Sequence, residues 1–131
     1  MSEVYLGNPN LKKANTEIEF TEEQIIEFLK CKEDPVYFAN NYIKIVSLDE
    51  GLTQFHPYDF QEKLIHNFHE NRFNICKMPR QTGKSTTVVS YLLHYAVFND
   101  SVNIGILANK AATARELLSR LQTAYENLPK W

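Results

Sequence analysis

The stretch Phe73-Asn74-Ile75-Cys76-Lys77-Met78-Pro79-Arg80-Gln81-Thr82-Gly83-Lys84-Ser85-Thr86 constrains the fold of this chain more than any other. Phe73 to Cys76 is an apolar run with the length of a short buried strand. A tight polar turn follows. Lys84 then opens a segment in which Val88, Val89, Leu92, Leu93 and Ala96 recur at helical spacing. Strand, turn ending in Gly-Lys-Ser, and helix is the layout of a phosphate-binding loop. The first N–H groups of a helix lack backbone partners and lie at the positive end of its dipole. A loop folded back over them forms a cage of donors for a polyphosphate. Gly83 allows close backbone approach, Lys84 can reach between β- and γ-phosphates, and the Ser85 hydroxyl suits a hard Mg²⁺ ion.

The standard pattern G-x-x-x-x-G-K-[ST] places glycine where this chain has Met78. The tripeptide Gly83-Lys84-Ser85 alone is common by chance. The strand before it, the helix after it and Arg80 within the turn give it weight.

The chain has 131 residues, a formal net charge of −2 and 44% hydrophobic residues, enough for one modest core. This is short for a complete motor domain. The near-neutral charge gives no global sign of nucleic-acid binding, so any DNA contact requires a local patch. Two cysteines, Cys31 and Cys76, do not make a disulfide framework, and Cys76 is expected to be buried in its strand. Met1 to Lys13 is polar and does not read as a signal peptide. No apolar run approaches the ~20 residues of a membrane span.

In chain order, residues 1–19 read as an extended arm and 20–131 as the N-terminal portion of a nucleotide-binding domain. Thr21 is expected to cap a helix, with Gln24 closing a capping box and Ile25, Ile26, Phe28 and Leu29 as its apolar face. Asp34-Pro35 restarts a helix. Ile43 to Leu48, the turn Asp49-Glu50-Gly51, and Leu52 to Phe55 predict a β-hairpin. Pro57 begins a helix bearing Phe60, Leu64, Ile65 and Phe68, ending near Asn71. Beyond the Lys84 helix, Val102 to Ala108 predicts a second buried strand. Asn109 is placed to cap a last helix, in which Ala114, Leu117, Leu118, Leu121 and Ala124 repeat before Pro129. Strand–helix–strand–helix implies a right-handed unit with a parallel strand pair, and hence an α/β fold.

Gln61 carries a second signal. Its amide has a donor beside an acceptor and can read the complementary edge of adenine. Tyr58, Phe60 and Phe55 nearby fit core packing more readily than base stacking. His66 and His69 lie one turn apart without a cysteine or carboxylate cluster, and with His56 and His94 read as surface or packing residues. Lys110, Arg115, Glu116 and Arg120 read as a solvated helix face.

Lys77 to Thr86 resembles the Walker A segment of the large terminase subunit of tailed bacteriophages, of the myovirus type. That family tolerates a residue other than glycine at the position of Met78 and carries arginine at that of Arg80. Tyr58-Asp59-Phe60-Gln61 resembles its adenine-reading Q motif, Ile104 to Lys110 its motif Ia, and Leu6 to Lys13 the approach to its ATPase domain. The likeness covers nearly the whole chain. It implies a partial RecA-like P-loop NTPase domain with parallel strands, preceded by a helical segment and a β-hairpin. It also implies the ATP-binding part of a motor that drives double-stranded DNA into a procapsid. By resemblance, ATP and Mg²⁺ are held by Gln61, Arg80, Gln81, Thr82, Gly83, Lys84, Ser85 and Thr86. Ser85 is then the Mg²⁺ ligand, and Arg80 and Lys84 stabilise the transferred phosphate. The implied partners are DNA, the portal protein and the small terminase subunit, without a membrane, in a ring on the portal formed only by the full-length protein. The implied location is the host cytoplasm, transiently at the procapsid portal, and not the mature virion.

The family's Walker B aspartate, catalytic glutamate and nuclease lie beyond the position of Trp131, and no strand before it is read as a replacement for Walker B, Asp49-Glu50 being read as part of a hairpin turn. The chain is therefore expected to be a fragment or one piece of a split gene. Alone, it is expected to hydrolyse ATP very slowly or not at all. Two alternatives remain at this level: a DEAD-like helicase or translocase fragment, and a non-hydrolysing assembly module.

Overall fold

Short-range side-chain chemistry starts the first two helices where the sequence places them. In the computed structural model, which describes residues 4–129 and 131, Thr21 Oγ1 accepts from the Gln24 N–H at 3.2 Å. Gln24 Oε1 accepts in return from the Thr21 N–H at 3.0 Å, completing the expected capping box of α1, Glu22–Glu33. Asp34 Oδ1 accepts from the N–H groups of Val36 and Tyr37 at 2.9 and 3.1 Å. Pro35, whose missing N–H costs nothing in a first turn, opens α2, Pro35–Tyr42.

Residues 1–3, the start of the expected arm, lie outside the described residues. Part of that segment forms a hairpin, while residues 13–19 belong to no strand or helix. Strands β1, Val4–Tyr5, and β2, Asn8–Lys12, pair antiparallel across a turn where Leu6 and Gly7 both take positive φ, and β2 lies against α5. The expected second hairpin is present. Strands β3, Lys44–Ser47, and β4, Gly51–Gln54, pair antiparallel from Lys44↔Gln54 to Ser47↔Gly51. Gly51 enters β4 at φ 70°, a conformation that glycine takes without steric cost.

Helices α3 (Asp59–Glu70), α4 (Lys84–Phe98) and α5 (Ala111–Glu126) follow. Helix α4 packs on α2, α3 and α5, and β3 lies against α5. The core gathers Cys31, Phe38, Ala39, Ile43, Phe55, Ile65, Leu93, Ala124 and Leu128. Phe38 and Phe98 meet edge to face with centroids 5.4 Å apart. Buried His94 places Nε2 2.8 Å from the Cys31 carbonyl oxygen, joining α4 to α1. Glu27 of α1 accepts from the Tyr42 hydroxyl of α2 at 2.9 Å and also from the Tyr37 hydroxyl. These ties matter because Ile25, Ile26 and Leu29 of α1 are about half exposed, so the face expected from them is not buried.

The expected α/β architecture is not what forms. Among the described residues all strand pairing is antiparallel, in two two-stranded sheets, and there is no parallel sheet. The fold is therefore not RecA-like. Phe73 to Cys76 and Val102 to Ala108, expected as the buried parallel pair, belong to no strand. Phe73 is 82% exposed, Ile75 101% and Leu107 96%. Cys76, expected inside, is exposed. A parallel strand needs a ladder partner at its edges and cover on both faces. Neither segment has these, and an apolar run without a partner carries no pairing energy of its own. The last helix also starts one residue later than expected: Lys110, not Asn109, is its N-cap and supplies no side-chain cap bond.

Candidate functional site

The turn before α4 is built on two residues with positive φ. Gln81 sits at φ 60° and Gly83 at φ 71°, ψ 18°, both left-handed. Gly83 is the N-cap of α4, and no side chain caps the helix. The first-turn N–H groups of a 15-residue helix therefore open at the loop with the dipole's positive end behind them. Lys84 is the first helical residue and is exposed; its Nζ donates to the Met78 carbonyl at 3.4 Å. Thr82 Oγ1 donates to the Pro79 carbonyl at 2.9 Å, tightening the turn.

Three donors converge on the Gly83 carbonyl. The Thr87 N–H lies at 3.0 Å, Thr87 Oγ1 at 2.9 Å and Gln61 Nε2 at 3.4 Å. Gln61 Nε2 also donates to the Thr82 carbonyl at 3.3 Å, and Gln61 Oε1 accepts from the Tyr58 N–H at 2.8 Å. The Thr82 and Gly83 carbonyls are thus held toward the buried Gln61 amide. A Cβ on Gly83 would collide with Gln61 Nε2, so close approach and left-handed φ both require glycine here.

The structure joins Gln61 to Thr82 and Gly83 by hydrogen bonds, while Lys84, next in the chain, is bonded to Met78. Ser85 is half-buried and, with Lys84, borders a cleft of about 240 Å³ lined by Leu64, Val88, Leu92 and Ile106. Apart from Lys84 and Ser85 that lining is apolar, so the interior of the cleft offers few partners to a charged group. Arg80 and Gln81 stand exposed on the turn. Thr86 borders a different cleft, with Ile43, Val46 and Arg120, and does not join the loop group.

Gln61 is 3% exposed, with its donor and acceptor both engaged, where the sequence suggested a side chain open to a base. Its place three residues after Tyr58, at the third position of α3, is the signature that predicts the Tyr58 contact. Thr87, fully buried, went unnoticed in the sequence. A threonine four residues after the glycine can back-bond to its carbonyl, and that spacing was the available signal. Phe55 is core as expected, whereas Tyr58 and Phe60 are exposed and stack on each other at 5.9 Å.

The titratable groups that depart from their ordinary values belong to the helical core. Burial pushes the Cys31 thiol up to about 12 and the Tyr91 phenol upward, and holds the His94 imidazole below its usual value. The Tyr37 and Tyr42 hydroxyls hold the Glu27 carboxyl below the usual carboxylate range. Cys31 is therefore a thiol and not a nucleophile at neutral pH. Among the described residues no group of three or more His, Cys, Asp or Glu could hold a metal ion. Any Mg²⁺ here would be shared between the Ser85 hydroxyl and the phosphates themselves. No helix among the described residues is long and apolar enough to cross a membrane. No family model matches the chain.

Proposed function

We propose that the turn from Met78 to Gly83 and the first turn of α4 bind the polyphosphate of Mg-ATP. In this reading the chain is the ATP-binding part of a viral terminase large subunit, a motor that translocates double-stranded DNA into a procapsid with a portal protein and a small subunit. The observation that carries it is the uncapped start of α4 behind left-handed Gly83, with Lys84 exposed at its first position. The long contact from Lys84 Nζ to Met78 O exchanges readily for charge-assisted bonds to phosphate oxygens. Ser85 supplies a hydroxyl for Mg²⁺, and Arg80, exposed on the same turn, is the cation for the γ-phosphate. The terminase assignment rests on the motif resemblance, and the phosphate assignment on the loop.

Calorimetric titration with Mg-ATP tests the site. Lys84→Ala weakens triphosphate binding without unfolding the chain, because Lys84 is exposed. Unchanged affinity removes the phosphate assignment. Turnover by the isolated chain is expected to fall far below the ~1–100 s⁻¹ of kinases, since the Asp49-Glu50 pair that follows β3 stands in the turn of the β3–β4 hairpin, upstream of the loop in sequence.

A second reading, a non-hydrolysing assembly module, draws on exposed Phe73, Ile75 and Leu107. Thermal shift separates the two: if the loop binds Mg-ATP, millimolar nucleotide raises the Tm of the parent chain more than that of Lys84→Ala.

A further inference from the structure

One cleft combines aromatic side chains with an exposed arginine and an exposed asparagine. It lies between the C-terminal half of α3 and the middle of α4, with a volume of about 560 Å³, within the ~300–1,000 Å³ range of small-molecule sites. Its wall is aromatic. Tyr91 packs against Phe68 at 5.6 Å and against the His69 ring edge at 6.2 Å. Tyr95, one turn further along α4, has its ring 6.4 Å from Tyr91 and is 41% exposed, a shelf open to the cleft. Arg72 and Asn103 stand exposed among the lining residues. The far side is the backbone of Gly105, where even an added Cβ would meet nothing within 4 Å, so a flat ring can lie against it. No carboxylate is among the residues that line the cleft.

Each feature alone is ordinary. Together they match one ligand chemistry: a planar ring with donors and acceptors on its edge, joined to an anionic group. An aromatic shelf takes the ring face, an asparagine amide offers both a donor and an acceptor to its edge, and a guanidinium meets a phosphate in a fork. We propose that this cleft binds a nucleobase, stacked on Tyr95 beside Tyr91, with Asn103 at its edge and Arg72 on its phosphate. The base belongs either to a free nucleoside monophosphate or to an unpaired strand. The site shares no lining residue with the Gly83 turn and does not depend on the phosphate assignment there.

The test is a titration of the isotope-labelled chain with adenosine monophosphate and, separately, with a short oligothymidylate, followed by NMR. Both are expected to shift the Asn103 side-chain and Gly105 amide signals. Tyr95→Ala is expected to weaken binding at least about fivefold, while Tyr95→Phe, which keeps the stacking face, retains it. Arg72→Ala is expected to weaken the phosphorylated ligand and to spare uncharged adenosine. An oligonucleotide bound much more tightly than the monophosphate identifies a strand as the source, and equal affinities identify the free nucleotide. Shifts confined to the Gly83 turn, no shift at millimolar ligand, or equal binding by Tyr95→Ala overturns the proposal.

Discussion

Gln61 grips Gly83 across a gap of 22 residues in sequence: its Nε2 lies 3.4 Å from the Gly83 carbonyl oxygen and 3.3 Å from that of Thr82. One buried amide therefore joins the start of α3 to the turn that opens α4. The helix that could have presented a base-reading glutamine instead uses it to hold the turn's carbonyls inward.

Gln61→Ala removes a donor to two carbonyls and an acceptor for the Tyr58 N–H. The expected loss of stability is about 1–3 kcal/mol, read as a lower urea midpoint at unchanged slope. Gln61→Glu loses more above neutral pH, because a carboxylate cannot donate to either carbonyl. If the turn is the phosphate site, Gln61→Ala also weakens ATP and GTP alike. A loss confined to ATP assigns the side chain to the base.

Gly83→Ala places a Cβ at φ 71° and against Gln61. The expected cost is about 1–3 kcal/mol. Differential scanning calorimetry measures it, and an alanine variant as stable as the parent would contradict the left-handed geometry.

Asp34→Ala leaves the Val36 and Tyr37 N–H groups without their acceptor at the start of α2. The expected destabilisation is about 1 kcal/mol by urea denaturation. Asp34→Asn retains most of the stability, since the amide oxygen still accepts.

His94 is 3% exposed, and burial holds its imidazole below the ordinary value of 6.5. The unfolded chain takes up a proton at about 6.5, while the folded chain resists it to lower pH. This contribution to stability is complete above that pH and is lost as pH falls through the folded value. Denaturant midpoints are expected to drop as pH falls below about 6.5, and to drop less in His94→Gln.

Ile75 and Leu93 give opposite outcomes for similar side chains. Ile75 is 101% exposed, so Ile75→Ser is expected to change stability by at most about 0.5 kcal/mol. Leu93 is 1% exposed, and Leu93→Ala is expected to cost about 2–5 kcal/mol. A large loss at Ile75 would place Phe73 to Cys76 inside a packed sheet after all.

The parts legible in the sequence were those whose physics acts within a few residues. Thr21 with Gln24, and Asp34 with Pro35, start helices through bonds spanning two or three positions. Gly51 ends a hairpin turn in the left-handed conformation that its lack of a Cβ permits. Gly83, followed by Lys84 and an apolar helical repeat, already marked where α4 begins, while its left-handed φ is seen only in the structure. Only the tertiary structure decided what each segment met. An apolar run such as Phe73 to Cys76 records a preference for pairing but not the presence of a partner, and strand energy resides in that partner. The inward turn of Gln61, the exposure of Cys76 and the cleft beside Tyr95 depend in the same way on contacts between residues far apart in the chain, which local spacing does not encode.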